Sequence, residues 1–409
     1  MRSNTWRAIM LLTLTLVLVS SAMEAQAARR SSLAGNQFIN DPDDMFAFPQ
    51  LMMKYKNRLI IDMAPSGGDE GNGSIVFGDN WVWNFNTGRG DYLNNTAFWA
   101  GGGFDRISGI MSVFNGTPGS NGSNGRSLEW WDLGFATHLG DTPFGFNVSW
   151  ATDKDKETPP VGDPTQDNST SMLSFQVGTT LGSIELAGEV GFGSYSDELV
   201  GLDPSDVNDW DFFNFSLLAR GNLDDFGGQN WRWIAAYTNG SNDPNFTDTA
   251  NNIEAVKLTT TGFRGSFGPV WGTPGEWEVA AYLNFNYLKH DSGNFGNPET
   301  KDSISFTSFP AYNFAMEYYL NSWLVARGGV MSQNVALTET DENPGDPITE
   351  DEGQFREDLF MWTLGLGVDK GNWGLDIALE EDDVHSGYLP LNGDVSDSPI
   401  AYLTAWLSW

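Results

Sequence analysis

The stretch Asn372-Trp373-Gly374-Leu375-Asp376-Ile377-Ala378-Leu379-Glu380 decides the fold class. Trp373, Leu375, Ile377 and Leu379 fall on one side of a period of two. Gly374, Asp376, Ala378 and Glu380 fall on the other. Successive side chains of a strand point to opposite faces, so this is a strand with one greasy face and one polar or tiny face. A helix would want apolar residues three and four apart and would tolerate the glycines poorly. Just upstream, Trp362, Leu364, Leu366 and Val368 alternate with Thr363, Gly365, Gly367 and Asp369. Lys370-Gly371 between the two runs predicts a tight turn.

The same alternation recurs outward along the chain. Phe144, Phe146, Val148 and Trp150 interleave with Gly145, Asn147 and Ser149. Leu173, Phe175 and Val177 do so with Ser174 and Gln176, and Trp277, Val279, Ala281, Leu283 and Phe285 with Glu278, Ala280, Tyr282 and Asn284. Sixteen such segments are expected between 57–64 and 399–409, among them single strands at 74–86 and 104–115. Fourteen or eighteen strands are the alternatives, and 87–103 is the least readable stretch. Short connections such as Gly140–Thr142 and Gly182-Ser183 alternate with long polar ones at 153–169, 195–209, 240–251, 290–301, 336–354 and 381–398.

A soluble sandwich also alternates, with its apolar face against a second sheet. The segment length, about ten residues or more, instead suits tilted membrane strands. The 17 Trp, 11 Tyr and 27 Phe cluster toward strand ends, where amphipathic rings sit at headgroup level. No apolar run of membrane-helix length follows the N-terminus, and in lipid only helices and closed barrels satisfy every backbone polar group. The expected fold is therefore all-β: a closed antiparallel transmembrane barrel of about 16 strands, with short periplasmic turns and longer acidic outer loops.

Residues 1–27 read as an export signal. Arg2 and Arg7 precede an apolar run from Ala8 to Val19, and Ala25-Gln26-Ala27 supplies a small-x-small cleavage site. Residues 28–56, with the turn signal Asn40-Asp41-Pro42-Asp43-Asp44, are expected to form a periplasmic arm or a segment at the barrel mouth. The barrel proper is 57–409.

The last ten residues are Ile400-Ala401-Tyr402-Leu403-Thr404-Ala405-Trp406-Leu407-Ser408-Trp409. Leu403, Ala405, Leu407 and the terminal Trp409 step in twos to an aromatic end. This resembles the C-terminal assembly signal of bacterial outer-membrane β-barrel proteins. With about sixteen strands the chain is similar to general porins, at the level of the class and of no named family. The resemblance implies a place in the bacterial outer membrane, contact with its lipid, and recognition by the barrel assembly machinery. A homotrimer is one assembly compatible with it.

Composition excludes several function classes. The formal charge is −33, so nucleic acid would be repelled. Cysteine is absent, which removes disulfides, thiolate metal sites and thiol nucleophiles. There is no phosphate loop, no zinc-protease motif and no ordered Ser/His/Asp set. An enzyme is not expected. A hydrolase would need His138 or His290 beside an Asp and a Ser at a rim. No cofactor is expected either. Acids such as Glu339, Asp341, Glu342, Asp346, Glu350, Asp351 and Glu352 could bridge Ca2+ ions in the outer loops, but EF-hand spacing is lacking and solvating charge is the plainer account.

If the apolar faces meet lipid, the alternate positions face the lumen. The candidate pore-lining residues are Glu185, Glu189, Arg220, Arg232, Lys257, Glu278, Glu317, Arg327, Asp376 and Glu380. A charge facing lipid at the midplane costs about 2–4 kcal/mol, which places them inside. The expected function is a water-filled porin for small hydrophilic solutes, cation-preferring because the wall acids outnumber the bases. A structural or binding barrel without an open pore is the alternative.

Overall fold

The computed structural model describes residues 28–63, 71–87, 129–157, 165–200, 207–226, 229–244, 247–248, 253–254, 258–294, 297–342, 355–380 and 402–409. The stretch expected to be an export signal, the strand expected at 104–115 and Lys257 lie outside these residues. Among the described residues, no helix is long and apolar enough to cross a membrane.

The chain enters through two short helices, α1 (Ala28–Ser32) and α2 (Asp44–Ala47), and a 3-10 turn, Pro49–Met53. Strands β1 (Arg58–Met63), β2 (Gly71–Gly78), β3 (Trp81–Thr87) and β4 (Glu129–Leu139) follow. They lead into β5 (Thr142–Glu157), β6 (Thr165–Leu181), β7 (Ile184–Val200), β8 (Val207–Phe226) and β9 (Gln229–Pro244). A small hairpin of β10 (Thr247–Asp248) and β11 (Ile253–Glu254) stands apart. Then come β12 (Leu258–Thr273), β13 (Trp277–Asn294), β14 (Asn297–Tyr319), β15 (Leu324–Glu342), β16 (Phe355–Asp369), β17 (Trp373–Glu380) and β18 (Tyr402–Ser408).

Sixteen of these strands close into one antiparallel barrel, each pairing with its neighbour in sequence apart from the step from β9 to β12 over the small hairpin. The seam joins first to last, from Arg58↔Ser408 to Met63↔Leu403. Closure leaves no edge strand exposed, the condition for crossing lipid. Both barrel ends of the chain lie on the tight-turn side, where the Trp409 N–H donates to the Asn57 carbonyl at 3.2 Å.

The two faces separate as the alternation requires. Leu364 and Leu366 are among the exposed large apolar residues, whereas Thr363 and Asp376 are buried inside. Phe146 and Val148 are more exposed than their neighbours Asn147 and Ser149. Trp81, Trp277, Tyr318, Trp323, Trp373 and Trp409 all point outward beside the tight turns. That is an aromatic girdle at one membrane interface. A closed sheet that is apolar outside and polar inside is the build of a bacterial outer-membrane barrel, and the protein is one.

Two details differ from the sequence expectation. Segment 74–86 is two strands, β2 and β3, joined through Gly78 (φ +115°), Asp79 and Asn80. The outward residues Ile75 and Phe77 before the turn and Trp81, Trp83 and Phe85 after it share one parity, so the period of two runs through the turn unbroken. The strands are also longer than their apolar runs. The ladder reaches Glu157↔Gln166 between β5 and β6, and Thr165↔Val200 between β6 and β7. Beyond the membrane both faces meet water, so pairing continues after the hydropathy signal has ended.

Candidate functional site

Residues 28–56 lie inside the barrel, packed against the tight-turn half of its wall. Helix α1 packs on β15, β16, β17 and β18, and the 3-10 turn packs on β3, β4, β5 and β6. Leu33, Phe38, Ile39, Met45, Phe48 and Met52 are all buried to within 1%. The small inward residues of the wall make this fit. A Cβ on Gly145 would strike the backbone of Pro49 and Gln50, and one on Gly329 the backbone of Leu33 and Ala34. The glycine-rich inner face, expected to be wet, is a docking surface.

Polar contacts fix the segment to the wall. The Ala34 N–H donates to Thr363 Oγ1 at 3.0 Å, and the Thr363 hydroxyl donates to the Ser32 carbonyl at 3.0 Å. Asn36 Nδ2 donates to Asn313 Oδ1 at 2.6 Å, and Asn313 Nδ2 to the Ala34 carbonyl at 2.8 Å. Gln176 Nε2 donates to the Ala47 carbonyl at 3.1 Å, and Gln50 Nε2 to the Thr179 carbonyl at 2.9 Å. The Phe38 ring lies 4.4 Å from that of Tyr282, centroid to centroid. Buried polar groups cost free energy unless paired, so each bond specifies one seat for the segment.

Two charge networks carry the strongest links. In the first, Arg29 reaches Glu317 on β14, with Asp41 3.6 Å away. Arg327 on β15 bridges Glu317 at 2.6 Å and Asp376 on β17 at 2.5 Å. In the second, Asp44 meets Arg30 at 2.5 Å and Arg220 on β8 at 2.9 Å, and Arg220 also holds Glu185 at 2.6 Å. Burial works to raise the Asp44 carboxyl, but the adjacent Arg220 and Arg30 outweigh it and hold it down at about 2.

The structure thus brings Glu185, Arg220, Glu317, Arg327 and Asp376 together around the inserted segment. Arg232 lies 3.5 Å from the Asn40 side chain. Glu189 and Glu278 face inward and are buried. Glu380 pairs with Thr363 in the ladder, and its side chain lies outside the described residues. His138 is exposed beside the β4–β5 turn, and His290 sits in the ladder between Thr260 and Ile304. Among the described residues no group of three His, Asp or Glu is placed to hold a metal ion. Most acids of 336–354 and all of 381–398 lie outside the described residues.

Sequence reasoning missed the inner partners: Arg29, Arg30, Asp41, Asp44, Asn313 and Thr363. One signal was available. Arg29-Arg30 is a pair of adjacent bases in a chain of 21 Lys+Arg against 54 Asp+Glu, followed closely by a turn rich in acids.

No family model matches the chain, and no curated protein matches it. Solved barrels do. CdiB from Escherichia coli is 13% identical with a TM-score of 0.39, over 86% of this chain and 62% of that one. The alcaligin receptor FauA from Bordetella pertussis is 7% identical with a TM-score of 0.32, over 86% and 75%. The ferric preacinetobactin receptor BauA from Acinetobacter baumannii is 10% identical with a TM-score of 0.39, over 79% and 53%. The chain therefore spans about three fifths of CdiB and half of BauA. The likeness is one of barrel architecture, and none of the three is a general porin. The expectation of a water-filled, cation-preferring porin is corrected because residues 28–56 occupy the lumen on the tight-turn side. Of the wall charges expected to tune ion passage, Glu185, Arg220, Glu317, Arg327 and Asp376 are ion-paired with the inserted segment or with one another.

Proposed function

We propose that the protein is a gated outer-membrane barrel, shut at rest by its own residues 28–56 and opened only when that segment is displaced. The observation that carries this is the pair of charge networks, in which Arg29, Arg30, Asp41 and Asp44 of the segment meet Glu317 and Arg220 of the wall. The segment contributes no strand to the barrel, and it is joined to it covalently only through the residues that lead into β1. Displacing the segment breaks these pairs and exposes Leu33, Phe38, Ile39 and Phe48, which share an apolar cluster with Leu218, Ile234 and Tyr282 of the wall, so openings are rare unless something pulls on the segment. Passage of cargo then depends on what moves the segment, not on the charge of an open wall. In the same proposal, β18 and Trp409 are the element that the barrel assembly machinery recognises.

The chain has no cysteine, so two introduced thiols would be the only ones. Asn36→Cys with Asn313→Cys can be bridged by a short bifunctional methanethiosulfonate and released by reductant. In planar bilayers, wild-type protein should rest closed with intermittent openings. The bridged protein should stay closed until reductant is added, and a variant lacking 28–56 should conduct steadily. Wild-type protein that never opens, beside a deletion variant that conducts, would show a permanent plug and reject the gate.

A further inference from the structure

Ala28 starts α1 deep inside the barrel, with no exposed surface. Its nitrogen donates to Thr404 Oγ1 at 2.7 Å, and the Thr404 hydroxyl donates to Asp62 Oδ1 at 2.5 Å. Asp62 on β1 and Thr404 on β18 are ladder partners across the seam where the barrel closes. Asp62 is 2% exposed. Glu317, Asp376, Asp44 and Glu185 each meet an arginine. Asp62 meets none among the described residues, and its side-chain partner there is the Thr404 hydroxyl. A buried carboxylate is costly without a cation.

The residues just before Ala28 are Ala25-Gln26-Ala27, the small-x-small pattern of a leader-peptidase site. Hydrolysis there adds water across the Ala27–Ala28 peptide bond. Ala27 leaves as a carboxylate with the leader, and the Ala28 nitrogen becomes a primary amine. An α-amino group titrates near ~8, so it takes up a proton and is a cation at neutral pH.

We propose that cleavage after Ala27 creates an ion-pair site at the barrel seam, in which the new α-ammonium of Ala28 is held by Thr404 and, through it, by Asp62. Processing thereby supplies the cation that Asp62 lacks among the described residues and fastens the leading end of the inserted segment. A leader still attached at Ala28 leaves a neutral amide in that position, so the precursor carries Asp62 uncompensated. This assignment does not depend on whether the segment later moves.

The test uses mature protein purified from the membrane. Intact mass identifies the first residue. The folded protein is then treated near pH 7 with a small acylating reagent, unfolded and digested, and acylation of Ala28 is compared with that of the exposed Lys370. The α-amine is ordinarily the more reactive of the two at this pH. In the folded protein it should react at least about tenfold more slowly than in urea, while Lys370 reacts alike in both. Asp62→Asn and Thr404→Val, each checked for heat-modifiable migration, should return Ala28 toward its unfolded reactivity. A mature chain that starts elsewhere would overturn the proposal. So would an Ala28 amine as reactive when folded as when unfolded, and wild-type protein alone decides that point if neither variant folds.

Discussion

Arg29 holds Glu317 in a two-pronged pair, Nε to Oε2 at 2.9 Å and a terminal nitrogen to Oε1 at 3.0 Å, although the two residues stand 288 positions apart. The Glu317 side chain is 2% exposed and that of Arg29 is 18% exposed. Removing Arg29 leaves Glu317 its second partner, Arg327, so the loss is that of hydrogen bonds to a charged group, about 1.5–3 kcal/mol, and not that of a stranded charge. Arg29→Ala should therefore loosen the inserted segment by that order while leaving the barrel folded. The expected result is unchanged heat-modifiable migration with faster proteolysis within residues 28–56. The exchange Arg29→Glu with Glu317→Arg should recover part of the protection. Equal protection in the single variant would show that the pair contributes nothing to docking.

Acid should release the segment late. The Asp44 carboxyl, held at about 2 by Arg220 and Arg30 against the opposing effect of burial, has a folded pKa below its ordinary value near ~4. Its contribution is fully present above that ordinary value and is lost as pH falls through about 2. Pepsin, which works across this range, should find Phe38, Phe46 and Phe48 protected at pH 4 and increasingly open toward pH 2. With Arg220→Met the opening should begin at higher pH. A transition at the same pH in both proteins would remove Asp44 as its cause.

Filling a docking glycine should unseat the segment without touching a single charge. A Cβ on Gly329 would meet the backbone of Leu33 and Ala34, whereas one on Gly191, also on a strand, finds only ordinary contacts at 3.7 and 3.8 Å. Overpacking of this kind costs about 1–3 kcal/mol. Gly329→Val should raise steady conductance in a planar bilayer, and Gly191→Val should not. Similar behaviour of the two would mean that close approach at Gly329 does not govern docking.

Trp409→Ala should lower the amount of assembled barrel. β18 is the strand that pairs with both β1 and β17, and the Trp409 amide caps the seam at Asn57. Trp409 itself is 61% exposed on the outer surface, so its loss opens no core cavity. A several-fold fall in heat-modifiable protein, with unaltered melting of what does assemble, is the expected pattern. Unchanged yield would remove Trp409 from the assembly signal.

The hairpin of β16 and β17 could be read residue by residue, because lipid on one side and a polar interior on the other impose opposite chemistry on alternate positions. The same rule misled at Gly78-Asp79-Asn80, where the turn preserves parity and two strands look like one. The barrel closes with β3 beside β4, and the strand expected at 104–115 lies outside the described residues. Inward acids such as Glu317 and Asp376 could be placed on the right face by cost alone. What they face could not, since water and an inserted polar segment ask the same of a wall. The partners of Arg29 and Ala34 lie 288 and 329 residues away, and no local pattern records contacts of that range.

The order in which these contacts can form follows from where they lie. Ala28, Ala34 and Arg29 find their partners on β18, β16 and β14, all in the last quarter of the chain. Residues 28–34 therefore wait for the latest strands. Through most of assembly Arg29 has no seat, whereas Asp44 can already pair with Arg30 and with Arg220 on β8, and the 3-10 turn can already lie on β3 to β6. Only when β18 swings in against β1 are the seam and the final wall present together. Enclosure of the segment and completion of the cylinder then belong to one kinetic event, a long-range closure late on the pathway.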